Sequence, residues 1–211
     1  MITRMDRYIG KVLKLLDELD LTQNTIVVFT SDNGVSHLKQ EVDYDFFESV
    51  GNLRGLKGSL YEGGIRVPLL VKWPEKIKGG SVSDKMSGFE EWLVTFHDLV
   101  EAKSPLSSNH DGQSLGSHLL GKPSDDRKFL YREFSGYGGQ QAVWMGKWKG
   151  VRQDINRKKK ASLELELFDL SADESETIDL ASKYPAIVSK MEKIMKNEHV
   201  PSLEFPMKRI D

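Results

Sequence analysis

The sequence predicts an α/β sheet domain followed by a small antiparallel sheet with a C-terminal helix. Helical periodicity at residues 4–20 and 89–102 alternates with apolar, β-branched strand patterns at 25–30 and 67–72. Beyond residue 126 the pattern changes to short strands without intervening helices, which favours antiparallel pairing. These strand patterns occupy residues 128–134, 141–145, 148–153 and 163–170. A last amphipathic helix is predicted at residues 184–197.

Glycine, proline and aspartate residues at 121–126 mark the candidate boundary between two domains. We assign residues 1–122 to the α/β domain and residues 123–211 to the small C-terminal domain. Each long helix of the first domain carries one apolar face, and we expect both faces to pack in the core. In the first helix this face consists of Met5, Ile9, Val12, Leu13, Leu16 and Leu19. In the second helix it consists of Phe89, Trp92, Leu93, Phe96, Leu99 and Val100.

The composition indicates a folded protein with no strong attraction to polyanions. Hydrophobic residues make up 38% of the 211 residues, which is enough for a core. A net charge of −2 predicts no general binding to nucleic acid or anionic membranes. No apolar run approaches the ~20 residues of a membrane-spanning helix, and the N-terminus lacks the apolar segment of a signal peptide. Because the chain has no cysteine, disulfides and thiolate chemistry are excluded within it.

Polar residues follow the first predicted strand at the point where it ends. The strand stops at Ser31, then Asp32 and Asn33 follow, and Gly34 turns the chain. In open α/β sheets, ligands bind beyond the carboxyl ends of the strands. A carboxylate and an amide carbonyl in that place suit calcium or magnesium, which prefer oxygen ligands. An ordinary turn is the alternative interpretation, since Asp, Asn and Gly are common turn residues.

A second motif about twenty residues later makes the pattern specific. Residues 53–58 read Leu-Arg-Gly-Leu-Lys-Gly, and residues 61–68 read Tyr-Glu-Gly-Gly-Ile-Arg-Val-Pro. Together with Asp32-Asn33-Gly34, these motifs resemble the C-terminal half of a sulfatase of the arylsulfatase type, in the alkaline phosphatase superfamily. The resemblance continues through Trp73-Pro74, residues 111–114, residues 167–170, Glu176 and Leu180-Ala181. It therefore covers nearly the whole chain.

The resemblance implies roles for four residues toward an aryl or carbohydrate sulfate. Lys57 is a compact cation in a glycine-rich loop, and it is implied to bind the sulfate group, where negative charge builds up during hydrolysis. Asp32 and Asn33 are implied to be two ligands of Ca²⁺, with Mg²⁺ as the alternative. His37 is implied to contact the substrate, although it lies one position later than in similar relatives. A solvated surface histidine is the alternative.

Other residues of these motifs are expected to support the site rather than to react. We expect Arg54, Glu62 and Arg66 to hold the glycine-rich loop by ion pairs and hydrogen bonds. In the resembling family, the small C-terminal sheet lends residues to the edge of the pocket. Tyr137, with the glycines on either side of it, is a candidate for such an edge.

The motif that carries the nucleophile of the family is missing from this chain. Sulfatases of this type carry Cys-x-Pro-x-Arg or Ser-x-Pro-x-Arg in the N-terminal half, and its first residue is oxidised to formylglycine. Neither motif occurs here, and the early pair of metal-binding aspartates is absent as well. We therefore expect a fragment of a sulfatase that is inactive alone. The resemblance implies a periplasmic, secreted or lysosomal parent protein.

Two other functions stay open at this point. A non-catalytic, sulfatase-like module would bind an anionic glycan or a partner protein. A phosphoester hydrolase of the same superfamily would need similar charge stabilisation, because phosphoryl and sulfuryl transfer resemble each other. A fragment would also leave strand 25–30 or 67–72 with an unpaired apolar edge, so we expect self-association.

Overall fold

The computed structural model describes residues 1–38, 43–158 and 161–211, and the chain divides into two compact units. Residues 1–30 and 68–127 form the first unit, and residues 31–67 and 128–211 form the second. Helices and strands occur together along the chain, which confirms the predicted mixed fold class. The assignment of domains to residues 1–122 and 123–211 stays a prediction.

Five α-helices and six strands follow one another along the described chain. The helices are α1 (Ile2–Glu18), α2 (Glu62–Ile65), α3 (Glu91–Leu99), α4 (Gly116–Leu119) and α5 (Pro185–Glu198). The strands are β1 (Val27–Thr30), β2 (Leu69–Lys72), β3 (Leu130–Phe134), β4 (Gln140–Met145), β5 (Trp148–Arg152) and β6 (Glu166–Asp169). No described helix is long and apolar enough to cross a membrane.

The first unit contains a two-stranded sheet. Strands β1 and β2 pair antiparallel, with Val27 opposite Lys72 and Phe29 opposite Leu70. Among the described residues neither strand has a second partner, so each keeps one open edge. Phe29 and Leu70 are 38% and 63% exposed. The predicted apolar strand edge is therefore present, whereas self-association stays a prediction.

The expectation that the apolar face of α1 packs in the core is wrong for the described chain. Helix α1 contains no buried residue. Ile9, Leu13 and Leu16 are half-buried, whereas Met5 and Val12 are exposed. The cause is the size of the sheet, because a helix of 17 residues is about 26 Å long and strands of four residues span about 13 Å.

The face of α3 that is buried is polar, which also differs from the expectation. Phe89, Leu93, Phe96 and Val100, from the predicted aromatic stripe, are exposed. Glu91 and Thr95 are buried instead. The Thr95 hydroxyl accepts a hydrogen bond from the Leu115 amide at 2.8 Å, and Glu91 forms an ion pair with Arg127 at 2.5 Å. The segment that follows α3 is therefore held by hydrogen bonds and charge.

The second unit contains a small antiparallel sheet, as the sequence predicted, and its four strands follow the order β3-β4-β5-β6. The turn between β4 and β5 falls at Gly146-Lys147, and Gly146 has a left-handed φ of 58°. Helix α5 packs on this sheet. Met191 and Met195 of the helix form the core with Val143, Leu165 and Leu167.

Candidate active site

Two backbone hydrogen bonds join the Asp-Asn-Gly turn to the glycine-rich loop of residues 53–66. The Gly34 amide donates to the Gly64 carbonyl at 2.8 Å, and the Lys57 amide donates to the Val35 carbonyl at 2.8 Å. Residue 34 must be glycine for this approach, because a Cβ there would lie 2.8 Å from the carbonyl carbon of Gly64. The two motifs that the sequence indicates are therefore neighbours in space within the second unit.

The side chains predicted to bind substrate and metal are accessible. Lys57, His37 and Asp32 are exposed, and Asn33 is half-buried. Within the described ranges, no hydrogen bond or ion pair engages the Lys57 ammonium or the Asp32 carboxylate. A free ammonium on one loop and a carboxylate with an amide on the next can bind an anion and a hard cation, respectively.

The described residues supply only part of a metal site. Asp32 and Asn33 offer oxygen ligands of the kind that Ca²⁺ and Mg²⁺ accept, which fits the implied metal. Residues 1–38, 43–158 and 161–211 contain no group of three or more His, Asp or Glu side chains arranged to hold a metal ion. Since such cations take about six oxygen atoms or more, these two residues fit one side of a coordination sphere.

A buried glutamine fixes the backbone on both sides of Ser59, two residues after Lys57. Gln140 is 1% exposed. Its amide nitrogen donates to the Gly58 carbonyl at 2.8 Å, and its carbonyl oxygen accepts from the Leu60 amide at 3.1 Å. Gln153 donates a further hydrogen bond to the same oxygen at 2.9 Å. The loop that presents Lys57 is therefore tied to the first residue of β4.

A buried cluster of one lysine and two glutamates, the Lys149 cluster, anchors the other end of this loop. The ammonium of Lys149 lies 2.8 Å from Glu62 Oε1 and 2.7 Å from Glu176 Oε1. The indole of Trp144 donates to Glu62 Oε1 at 3.0 Å, and the Glu62 amide donates to Glu176 Oε2 at 2.7 Å. Lys149 and Glu176 are completely buried. Desolvation, opposed by Lys149, raises the pKa of Glu176.

Arg54 and Tyr61 stabilise the same loop by contacting each other and residues of the C-terminal part of the chain. The Arg54 guanidinium lies over the Tyr61 ring, 3.8 Å from its centroid, and donates to the Glu176 carbonyl at 2.9 Å. The Tyr61 hydroxyl donates to Glu166, and burial raises the pKa of Tyr61. Arg66 lies 3.9 Å from Glu62. The predicted supporting roles of Arg54, Glu62 and Arg66 are confirmed.

Tyr137 lies beside two residues of the predicted site. Its ring packs on Gly58, where a Cβ would lie 2.9 Å from both Cδ2 and Cζ of the tyrosine. The His37 ring stands edge-on to it, with the centroids 6.1 Å apart. The structure therefore brings His37, Tyr137 and the Lys57–Gly58 turn together.

Sequence reasoning missed Gln140 and Lys149. Lys149 occupies an inward position of β5, and the only signal for it was a charged residue between Trp148 and Gly150 in a strand pattern. Its partner Glu62 is 87 residues away in the sequence, so the pair is visible only in the fold. Gln140 begins β4 and carries no sequence signal of its role.

Two family models match the chain. The model described as sulfatase matches residues 1–102, and the model described as the C-terminal part of N-sulphoglucosamine sulphohydrolase matches residues 56–200. The chain therefore belongs to the sulfatase family, and its long match is to the C-terminal portion. This confirms the resemblance that the sequence motifs indicated.

Named relatives are similar along most of the chain. N-acetylgalactosamine-6-O-sulfatase of Bacteroides thetaiotaomicron is 30% identical, over 93% of this chain and 40% of its own length. Arylsulfatase K of Gallus gallus is 31% identical, over 93% of this chain and 35% of its own length. The chain thus spans well under half of the length of these relatives.

Solved structures share the fold. One is a structure from work on the metabolism of multiple glycosaminoglycans by Bacteroides thetaiotaomicron. It has a TM-score of 0.77 and 29% sequence identity, and the match covers 92% of this chain and 42% of that chain. Ps i-CgsB in complex with k-i-k-neocarrahexaose has a TM-score of 0.74 at 26% identity, covering 93% of this chain and 41% of that one.

Proposed function

We propose that the protein is a sulfuric-ester hydrolase that acts on aryl or carbohydrate sulfates. The observation that carries this proposal is the hydrogen-bonded contact between the Asp32–Gly34 turn and the Lys57 loop, in a chain of the sulfatase family. Lys57 binds the sulfate group, and its fixed positive charge stabilises the negative charge that develops on the ester oxygens. His37 contacts the substrate from the neighbouring turn.

Asp32 and Asn33 hold a divalent cation, Ca²⁺ or Mg²⁺, which supplies charge screening for the sulfate ester when bound. Lys57 orients the sulfate from the facing loop, and the Lys149 cluster and Gln140 keep that loop in place. We place the formylglycine nucleophile in residues that precede this stretch in the parent protein, which is periplasmic, secreted or lysosomal.

The 211-residue chain alone is then expected to release no sulfate, because it contains neither Cys-x-Pro-x-Arg nor Ser-x-Pro-x-Arg. A non-catalytic module that binds sulfated glycans is the second candidate, and the same missing motif favours it. Turnover by this chain at the rate of a complete sulfatase would contradict the expected inactivity of the chain alone and would exclude the non-catalytic module.

The test is sulfate release from phenyl sulfate and N-acetylgalactosamine 6-sulfate, with phenyl phosphate as the phosphoester control. It uses the native protein, by which we mean the parent protein as it occurs in its source. We expect hydrolysis of at least one sulfate ester, its loss in excess EDTA and its return with Ca²⁺ or Mg²⁺. Hydrolysis of the phosphate ester alone would replace the proposal by a phosphatase function. Binding of both sulfates without release would favour the binding module.

A further inference from the structure

Tyr137 has a backbone conformation that tyrosine rarely adopts. Its φ of 53° and ψ of 28° lie in the left-handed region, where a Cβ crowds the following carbonyl. Gly138 and Gly139, the next two residues, also have positive φ values of 102° and 82°. The turn is fixed by main-chain hydrogen bonds from Ile155 to Gly139 at 3.1 Å and from Asn156 to Gly138 at 2.6 Å.

Burial does not compensate for this conformation, because Tyr137 is 59% exposed. Glycine or asparagine would occupy the same backbone with less strain. An aromatic ring at such a position, facing solvent, is better explained by contact with a ligand than by folding.

The exposed ring lies in the turn between β3 and β4 and packs against the loop that presents Lys57. It packs on Gly58, the residue after the lysine, and Gln140 links Gly58 to the strand that follows Tyr137. Phe134, 40% exposed, lies with its ring centroid 6.0 Å from that of Tyr137. Together with the His37 ring, Tyr137 and Phe134 form an aromatic surface beside the Lys57–Gly58 turn.

We propose that this aromatic surface, centred on Tyr137, stacks against the pyranose ring of a sulfated sugar whose sulfate is bound by Lys57. The C–H bonds on one face of a pyranose carry slight positive charge, which the negative face of an aromatic ring attracts. A cation and an aromatic face on neighbouring turns match a ligand with an anionic group on an apolar ring face. This inference rests on the proposed function and names the carbohydrate class among its substrates.

The experiment is calorimetric titration of the native protein with N-acetylgalactosamine 6-sulfate, phenyl sulfate and inorganic sulfate. Tyr137→Asn removes the ring but retains a residue that tolerates left-handed backbone. Tyr137→Phe retains the ring and is the matched control. We expect Tyr137→Asn to weaken binding of the sugar sulfate about tenfold, the scale of one aromatic contact, and to leave inorganic sulfate unchanged. Tyr137→Phe should stay within about twofold of the wild type.

The other outcomes overturn specific statements. Equal loss for the sugar sulfate and inorganic sulfate would show that Tyr137 only supports the loop. Unchanged sugar binding would refute the contact, and a loss confined to phenyl sulfate would assign the surface to aryl groups instead. Lys57→Ala separates the two proposals. If that variant keeps its affinity for inorganic sulfate, the proposed function fails whatever Tyr137 does.

Discussion

Lys149 carries one positive charge between two carboxylates in a buried part of the second unit. Removing one partner from a buried ion pair leaves charge without compensation, which is far more damaging than losing an exposed pair. Lys147 gives an internal comparison, because its ion pair with Asp169 is short, at 2.6 Å, but its side chain is half exposed.

We predict that Lys149→Met lowers the free energy of unfolding by about 3–5 kcal/mol, since Glu62 and Glu176 then stay buried without their cation. Lys147→Met should cost about 1 kcal/mol or less. Urea unfolding of both variants and the wild type measures the difference. Equal losses would show that the Lys149 cluster is not an anchor.

The pKa of Glu176 predicts a pH dependence of stability. Because burial raises this pKa in the folded state, the protonated form is favoured there relative to the unfolded chain. The contribution of Glu176 is present below its unfolded pKa, near 4.5, and is lost as pH rises through the raised folded pKa. Glu176→Gln should abolish this change, whereas the exposed control Glu174→Gln should retain it. Urea unfolding between about pH 4 and 8 tests this, and parallel curves for wild type and Glu176→Gln would contradict it.

At the scale of elements, the loop of residues 53–66 is held from three sides by backbone contacts to Val35, by Gln140 and by the Lys149 cluster. The contact between Gly34 and the loop leaves the least space, because backbone carbonyl groups of the loop lie where a side chain of residue 34 would be. Gly79 provides a control, since no atom lies within 4 Å of a Cβ added there.

We predict that Gly34→Ala separates the Asp32–Asn33 turn from the Lys57 loop and weakens binding of inorganic sulfate at least tenfold. Gly79→Ala should leave binding within about twofold, because an alanine fits without strain there. Titration calorimetry gives both affinities. Sulfate affinity in Gly34→Ala equal to that of the wild type would mean that the turn and the loop act independently.

The sequence predicted the helices α1, α3 and α5 and the strands, because periodicity and turn chemistry are local properties. The association of the two motifs was implied by the family resemblance, since it depends on the fold. It did not predict which apolar faces are buried. The stripe from Phe89 to Val100 identifies an apolar face of α3, but burial requires another element to cover it. Lys149 was missed for the same reason, since its partners Glu62 and Glu176 are distant in sequence.

At the scale of the whole molecule, apolar surface is concentrated in the first unit. Helix α1 has no buried residue, and Leu70 of β2 is 63% exposed beside an open strand edge. Apolar patches and open edges of this kind favour association with another protein surface. The chain also spans only 35–40% of the length of its named relatives.

We therefore predict that the 211-residue chain self-associates at micromolar concentration. Leu70→Lys should shift it toward the monomer, because a charge on an edge strand opposes pairing, whereas Lys122→Arg on the exposed surface should not. Sedimentation velocity distinguishes the species. A single monomeric boundary for the unmodified chain would refute the prediction.

The most direct test of the account is the kinetic effect of Lys57→Ala in the native protein, with Lys78→Ala, another exposed lysine, as the control. If Lys57 holds the sulfate group in the transition state, kcat/KM for sulfate release should fall by about 100-fold or more, and the control should retain wild-type activity. Retention of activity in Lys57→Ala would contradict the assignment of Lys57 and, with it, the proposed site.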